Sequence, residues 1–167
     1  ATYKEIKGVT VQALDADPIE FVGSWASGGA MNTARRDMAA TGLQTAGLSV
    51  GGYISDYSAL TETYNGSAWS ETGDLNVAKR GMGSFGTYTA ALVAGGYGSP
   101  TPLATAETFD GSSWTEVGDL NTARRNPEGA QYSPQTAGLI FGGYSPSAYL
   151  AIAESWNGSA WTEVSDM

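Results

Sequence analysis

Six of the eight basic residues of this chain occur as adjacent pairs, Arg35-Arg36, Lys79-Arg80 and Arg124-Arg125, and only Lys4 and Lys7 lie elsewhere. Each pair follows a similar segment, MNTA, LNVA or LNTA, so the pairs occupy one position of a recurring pattern. Equivalent positions of successive structural repeats fall on an arc. Positive charge gathered there, in a chain of formal net charge −9, would present a local field to an anionic ligand such as an acidic glycan. The same cations have a second use, pairing with the repeating carboxylates Glu71/Glu116 or Asp74/Asp119 to hold neighbouring repeats together.

A second recurring group is Glu62, Glu107 and Glu154, each seven residues before a tryptophan. Acid/base catalysis needs two carboxylates in different environments, so that their pKa values separate. Three copies of one environment offer the opposite, and a salt-bridging or backbone-capping role is expected for them. With no histidine and no cysteine, the chain has no imidazole or thiolate for nucleophilic catalysis or metal ligation. No catalytic residue, metal or cofactor is therefore expected. Trp69, Trp114 and Trp161 recur inside the repeat and read as packing residues. The better stacking surfaces for a sugar are Tyr53 with Tyr57, Tyr97, and Tyr144 with Tyr149, which stand in or beside loops that differ between repeats.

The elements that must carry these residues follow from self-similarity. Trp25, Trp69, Trp114 and Trp161 are 44, 45 and 47 residues apart, and Gly-Gly-Tyr recurs at 51–53, 95–97 and 142–144. The segments TETYNGSAWSETGDLNVAKR, AETFDGSSWTEVGDLNTARR and AESWNGSAWTEVSDM align almost residue by residue. Within each unit, AGLSVGG, AALVAGG and AGLIFGG are short apolar runs suited to a strand covered on both faces. An alternating strand follows, then Asn65-Gly66, Asp110-Gly111 or Asn157-Gly158, then the Trp strand. Asn-Gly and Asp-Gly between such runs predict a hairpin with a type I′ turn. A fourth strand is expected after the basic pair, around Met82 to Tyr88 in the second unit. The expectation is an all-β chain of about three four-stranded units.

Leu, Ile, Val and Phe number only 27 of 167, a fraction usually seen in disordered chains. Five Trp and nine Tyr offset this, because aromatic rings bury large areas among Ala and Gly strands. The net charge argues against binding to nucleic acid or anionic membranes. No uncharged run is apolar enough to suggest membrane insertion.

Units of this length with a diglycine, an aromatic at Tyr64, Phe109 or Trp156, and a Trp five residues later resemble kelch repeats. The resemblance spans 25–167 and implies β-propeller blades. Three blades are too few for a closed ring, so an incomplete propeller is expected, completed by a longer chain or by another copy in a homo-oligomer. In some kelch domains, arginines near the start of this strand line a ligand mouth, and Arg35, Lys79 and Arg124 would correspond. The wording of the repeats, with an opening like TYKEIKGVTVQ, is also similar to virion fibre and appendage proteins of marine tailed phages. That likeness implies a non-enzymatic particle component at the virion surface, presenting its propeller for attachment or assembly. Residues 1–24 lie outside the repeat and carry short strand-like stretches around Ile6, Val9, Val11 and Leu14. They are either an anchor to other virion proteins or a strand capping the first unit. The alternative function is a lectin-like module binding an anionic host-surface polysaccharide through the basic rim.

Overall fold

The structure is a computed structural model that describes the backbone of residues 3–6 and 9–12 and all of residues 27–167. The chain is all-β, with no helix among the described residues. Near the N-terminus, β1 (Tyr3–Ile6) and β2 (Val9–Gln12) pair antiparallel, in line with the strand-like stretches there. The rest of the expected extension, and Trp25, lie outside the described residues.

Three four-stranded antiparallel sheets follow in chain order. The first is β3 (Ala39–Leu43), β4 (Ala46–Tyr53), β5 (Tyr57–Tyr64) and β6 (Trp69–Glu71). The second comprises β7 (Gly83–Thr87) and β8 (Ala90–Ala94), then, beyond a small ribbon of β9 (Tyr97–Gly98) and β10 (Thr101–Pro102), β11 (Ala106–Phe109) and β12 (Trp114–Val117). The third is β13 (Glu128–Gly129), β14 (Gly138–Phe141), β15 (Ala153–Trp156) and β16 (Trp161–Val164). Each sheet is a meander in which sequential strands are neighbours, the arrangement that short connections favour. The sheets begin after the basic pairs and end on the Trp strands, as the repeat predicts.

The hydrophobic core lies between sheets. Leu48 and Val50 of the first sheet and Leu75 of the following connection pack against Ala91, Val93, Phe109 and Trp114 of the second. Leu92, Ala94, Ala106 and Leu120 pack in the same way against Ile140, Trp156 and Trp161 of the third. Ala and Gly on the strands bring the backbones close, and one aromatic pair per sheet fills the remaining space. Phe109 and Trp114 lie 4.9 Å apart between ring centroids, and Trp156 and Trp161 5.2 Å. Trp114 also donates its indole N–H to Thr61 Oγ1 of the preceding sheet at 3.0 Å, and Trp161 donates to Gly118 O at 2.9 Å. A buried indole thus has its single donor satisfied across an inter-sheet boundary. Trp69, with no described sheet on that side, is only half-buried.

The first strands of successive sheets are neighbours as well. Thr41 Oγ1 donates to Gly86 O at 2.7 Å, and Ser84 Oγ donates to Ala40 O at 2.9 Å, both between β3 and β7.

One local expectation is corrected. The Asn-Gly and Asp-Gly segments do not form two-residue type I′ turns, because only the glycines Gly66, Gly111 and Gly158 have positive φ there. Tyr64 pairs with Trp69, Phe109 with Trp114 and Trp156 with Trp161, so each connection has four residues. The side chain takes over the closure. Asn65 Oδ1 accepts from Ser67 N, Ser67 Oγ and Ala68 N at 2.9 to 3.0 Å, and Asp110 and Asn157 accept equivalent bonds.

Candidate functional site

The two members of each basic pair have opposite surroundings. Alternating side-chain direction in extended backbone sends neighbours to opposite sides, and here that sends the first inward and the second to the rim.

Arg35, Lys79 and Arg124 have side chains with no exposed surface. Instead of lining an arc, each enters the sheet it precedes and meets the carboxylate of that sheet's third strand. Arg35 Nη1 lies 2.7 Å from Glu62 Oε1, Lys79 Nζ lies 3.1 Å from Glu107 Oε1, and Arg124 Nη2 is paired with Glu154 Oε1. The partners are therefore neither Glu71/Glu116 nor Asp74/Asp119. Glu71 and Glu116 lie on the edge strand and are exposed, while Asp74 is exposed and accepts the Thr61 N–H at 3.2 Å.

Each glutamate also takes the backbone N–H of the asparagine three residues before the buried cation: Asn32 to Glu62 at 2.8 Å, Asn76 to Glu107 at 2.8 Å and Asn121 to Glu154 at 2.7 Å. Both expected roles of these carboxylates, ion pairing and backbone capping, are filled together. The carbonyls of Lys79 and Arg124 accept from Gly52 and Gly96, the second glycines of the preceding diglycines, at 2.9 and 2.8 Å. One residue thus joins two sheets, by its backbone to the sheet behind and by its side chain to the sheet ahead.

Burial pushes the Lys79 ammonium below its ordinary pKa, and the carboxylate of Glu107 opposes that shift. Burial likewise lowers the pKa of the Arg124 guanidinium against the pull of Glu154. The middle pair is the less complete of these two. Lys79 Nζ donates to Thr105 O and Oγ1 at 3.3 and 3.1 Å, so its contact with Glu107 Oε1 is an ion pair out of line for a hydrogen bond. Arg124 spreads its donors over Thr122 O, Gly142 O, Ile152 O and Glu154.

The second members reach the rim together with the tyrosines after the diglycines. Backbone bridges join Arg36 to Tyr53, Arg80 to Tyr97 and Arg125 to Tyr144. The guanidinium carbon of Arg36 lies 4.8 Å from the Tyr53 ring centroid. Arg80 sits 5.1 Å from Tyr53 and 5.8 Å from both Tyr57 and Tyr97. Arg125 sits 5.5 Å from Tyr97 and 4.7 Å from Tyr144. The order along the rim is Arg36, Tyr53, Arg80, Tyr97, Arg125, Tyr144, a ladder of cations and ring faces. Tyr57 stacks tilted on Tyr97 at 5.8 Å, and Tyr149 stands edge-on to Tyr144 at 5.1 Å. Of the nine expected ligand-binding residues, the structure thus gathers Arg36, Arg80, Arg125, Tyr53, Tyr97 and Tyr144 on one surface and withdraws Arg35, Lys79 and Arg124 into the interior.

The residue after each basic pair is a further part of the rim, marked in the sequence only by its type. Asp37, Gly81 and Asn126 have φ of 57°, 59° and 51°, and Asp, Gly and Asn are the types that tolerate this left-handed region. They bond in series, Gly81 N to Asp37 O and Asn126 N to Gly81 O, both at 2.8 Å. Their succession at one repeat position was the available signal. Asp37 also accepts from Arg36 at 3.4 Å and Arg80 at 3.0 Å, so two of the three rim cations share one carboxylate.

No protein-family model matches the chain, and no curated protein matches it.

Proposed function

We propose that 25–167 form kelch-like blades of an incomplete β-propeller, and that the chain is a non-enzymatic structural component of a phage tail fibre or other virion appendage, serving attachment or assembly. The observation that supports a structural role is the repeated inter-sheet staple. Its charged groups are committed to joining one sheet to the next, and the three glutamates repeat one environment instead of separating into acid and base. The particle assignment rests on the likeness of the repeats to virion appendage proteins. Quantitative mass spectrometry of purified particles tests it: constant stoichiometry with the known structural proteins is expected, and recovery only as free protein would overturn it.

The Arg–Tyr ladder favours a second reading, a glycan-binding surface on the same scaffold. Flat ring faces suit sugar faces, and guanidinium groups suit their acidic substituents. A glycan array with the wild type and an Arg36/Arg80/Arg125 triple glutamine variant tests it. Loss of acidic-glycan signal is expected in the variant, and unchanged binding rejects the rim.

A further inference from the structure

The three rim arginines differ in their counterions. Arg36 and Arg80 both donate to Asp37, whereas Arg125 has no carboxylate partner among the described residues. Arg125 is half-buried, positioned by its backbone bridge to Tyr144 and by the rings of Tyr97 and Tyr144. A partly desolvated guanidinium with no anion among the described residues, in a chain of net charge −9, is a local positive charge left uncompensated by them. Beside it lies a cavity of about 150 Å³ lined by Asp37, Arg80, Tyr97, Arg125 and Asn126. At roughly 30 Å³ per water this equals about five waters, room for one carboxylate or sulfate group.

Resting on the glycan-binding reading above, we propose that this pocket takes the anionic group of an acidic saccharide, a uronate carboxylate or a sulfate ester, with Arg125 as its principal counterion. Arg80, paired with Asp37, adds a second cation to the lining. The adjoining tyrosines, including Tyr149 at 90% exposure, supply faces for the neighbouring sugar rings. Asp37 also lines the pocket and works against the ligand. Arg80 and Arg125 against Asp37 leave one net positive charge, so the site selects single anionic groups over densely charged ones.

Asp37 makes the idea separable from a mere loss of folding. The equivalent residue of the third repeat is Asn126, in the same left-handed backbone, so Asp37→Asn is tolerated conformationally and raises the net charge of the pocket by one.

Calorimetric titration at low salt compares a galacturonate oligosaccharide, a sulfated galactan oligosaccharide, a neutral galactan oligosaccharide and an oligoglutamate peptide. At least one acidic saccharide binds the wild type more tightly than the neutral one, and the uronate and sulfate arms show which group is taken. Arg125→Gln weakens that binding about tenfold or more, the loss of a charge-assisted contact. Asp37→Asn strengthens it about threefold to tenfold, a gain no misfolded variant would produce. Unaltered affinity in Arg125→Gln, weaker binding in Asp37→Asn, or preference for the oligoglutamate overturns the proposal. Equal binding of neutral and acidic saccharides overturns the pocket while leaving the glycan-binding reading standing, and binding of none of the probes overturns both.

Discussion

Adjacent arginines in this molecule do different work depending on which side of one peptide they leave. Arg124 is enclosed, bonded to three carbonyls and a carboxylate, and holds two sheets together. Arg125, one residue later, is half-exposed and touches ring faces. The interior charge is costly to bury and is tolerated only because its hydrogen bonds are nearly complete. The rim charge keeps part of its surface in water and lies against the faces of Tyr97 and Tyr144. Conserved appearance across the repeats therefore has two causes, structural necessity at the first basic position and an accessible surface at the second.

The comparison breaks most visibly at the glutamates. Glu154→Ala leaves Arg124 buried without its anion and is expected to cost about 3–5 kcal/mol, read from a denaturant midpoint. A loss under about 1 kcal/mol would mean that the staple contributes little. Lys79→Arg runs the other way. Arginine serves this position in the first and third repeats, and a guanidinium can supply the bond that Glu107 Oε1 lacks, so a gain of about 1 kcal/mol is expected in the same assay. At the rim, Arg36→Gln removes an exposed pair with Asp37 and should move stability by less than about 1 kcal/mol. A larger loss would place the ladder among the elements that hold the fold.

The smallest effect concerns an exposed charge with a local duty. Hydrogen bonds from the Ser113 and Ser112 backbone hold the Asp110 carboxyl well below its ordinary value of 3.8. A depressed carboxylate pKa stabilises the loop above the ordinary value, and that contribution is lost as pH falls towards the folded value. Amide shifts of Ser112 and Ser113 should therefore hold steady while pH passes through 3.8, whereas a titration midpoint there would contradict the loop geometry.

Much of this was legible in the sequence. The spacing of tryptophans and diglycines located three sheets and their order, because each repeat must close one meander and bury one aromatic pair. The role of Glu62, Glu107 and Glu154 was legible from their equivalence alone. Their partner was not. Three acidic positions recur per unit, and only depth in the sheet distinguishes an interior third strand from an exposed edge. Nor did the sequence separate the members of each basic pair, since side-chain direction depends on where the backbone bridge to the next tyrosine begins. The four-residue loops escaped for a related reason. Asn-Gly signals positive φ, but an asparagine side chain can also cap the connection and spare its own backbone that conformation.

The staples carry a consequence for the order in which the chain can fold. Each buried cation precedes its carboxylate, by 27 residues for Arg35 and 30 for Arg124. During synthesis the cation emerges first and stays hydrated until the third strand of the following sheet has been made. A partly formed sheet cannot enclose that cation cheaply, so the lead-in segment and its sheet must become ordered together. The cooperative unit therefore begins at the asparagine before the basic pair and straddles the apparent sheet boundary.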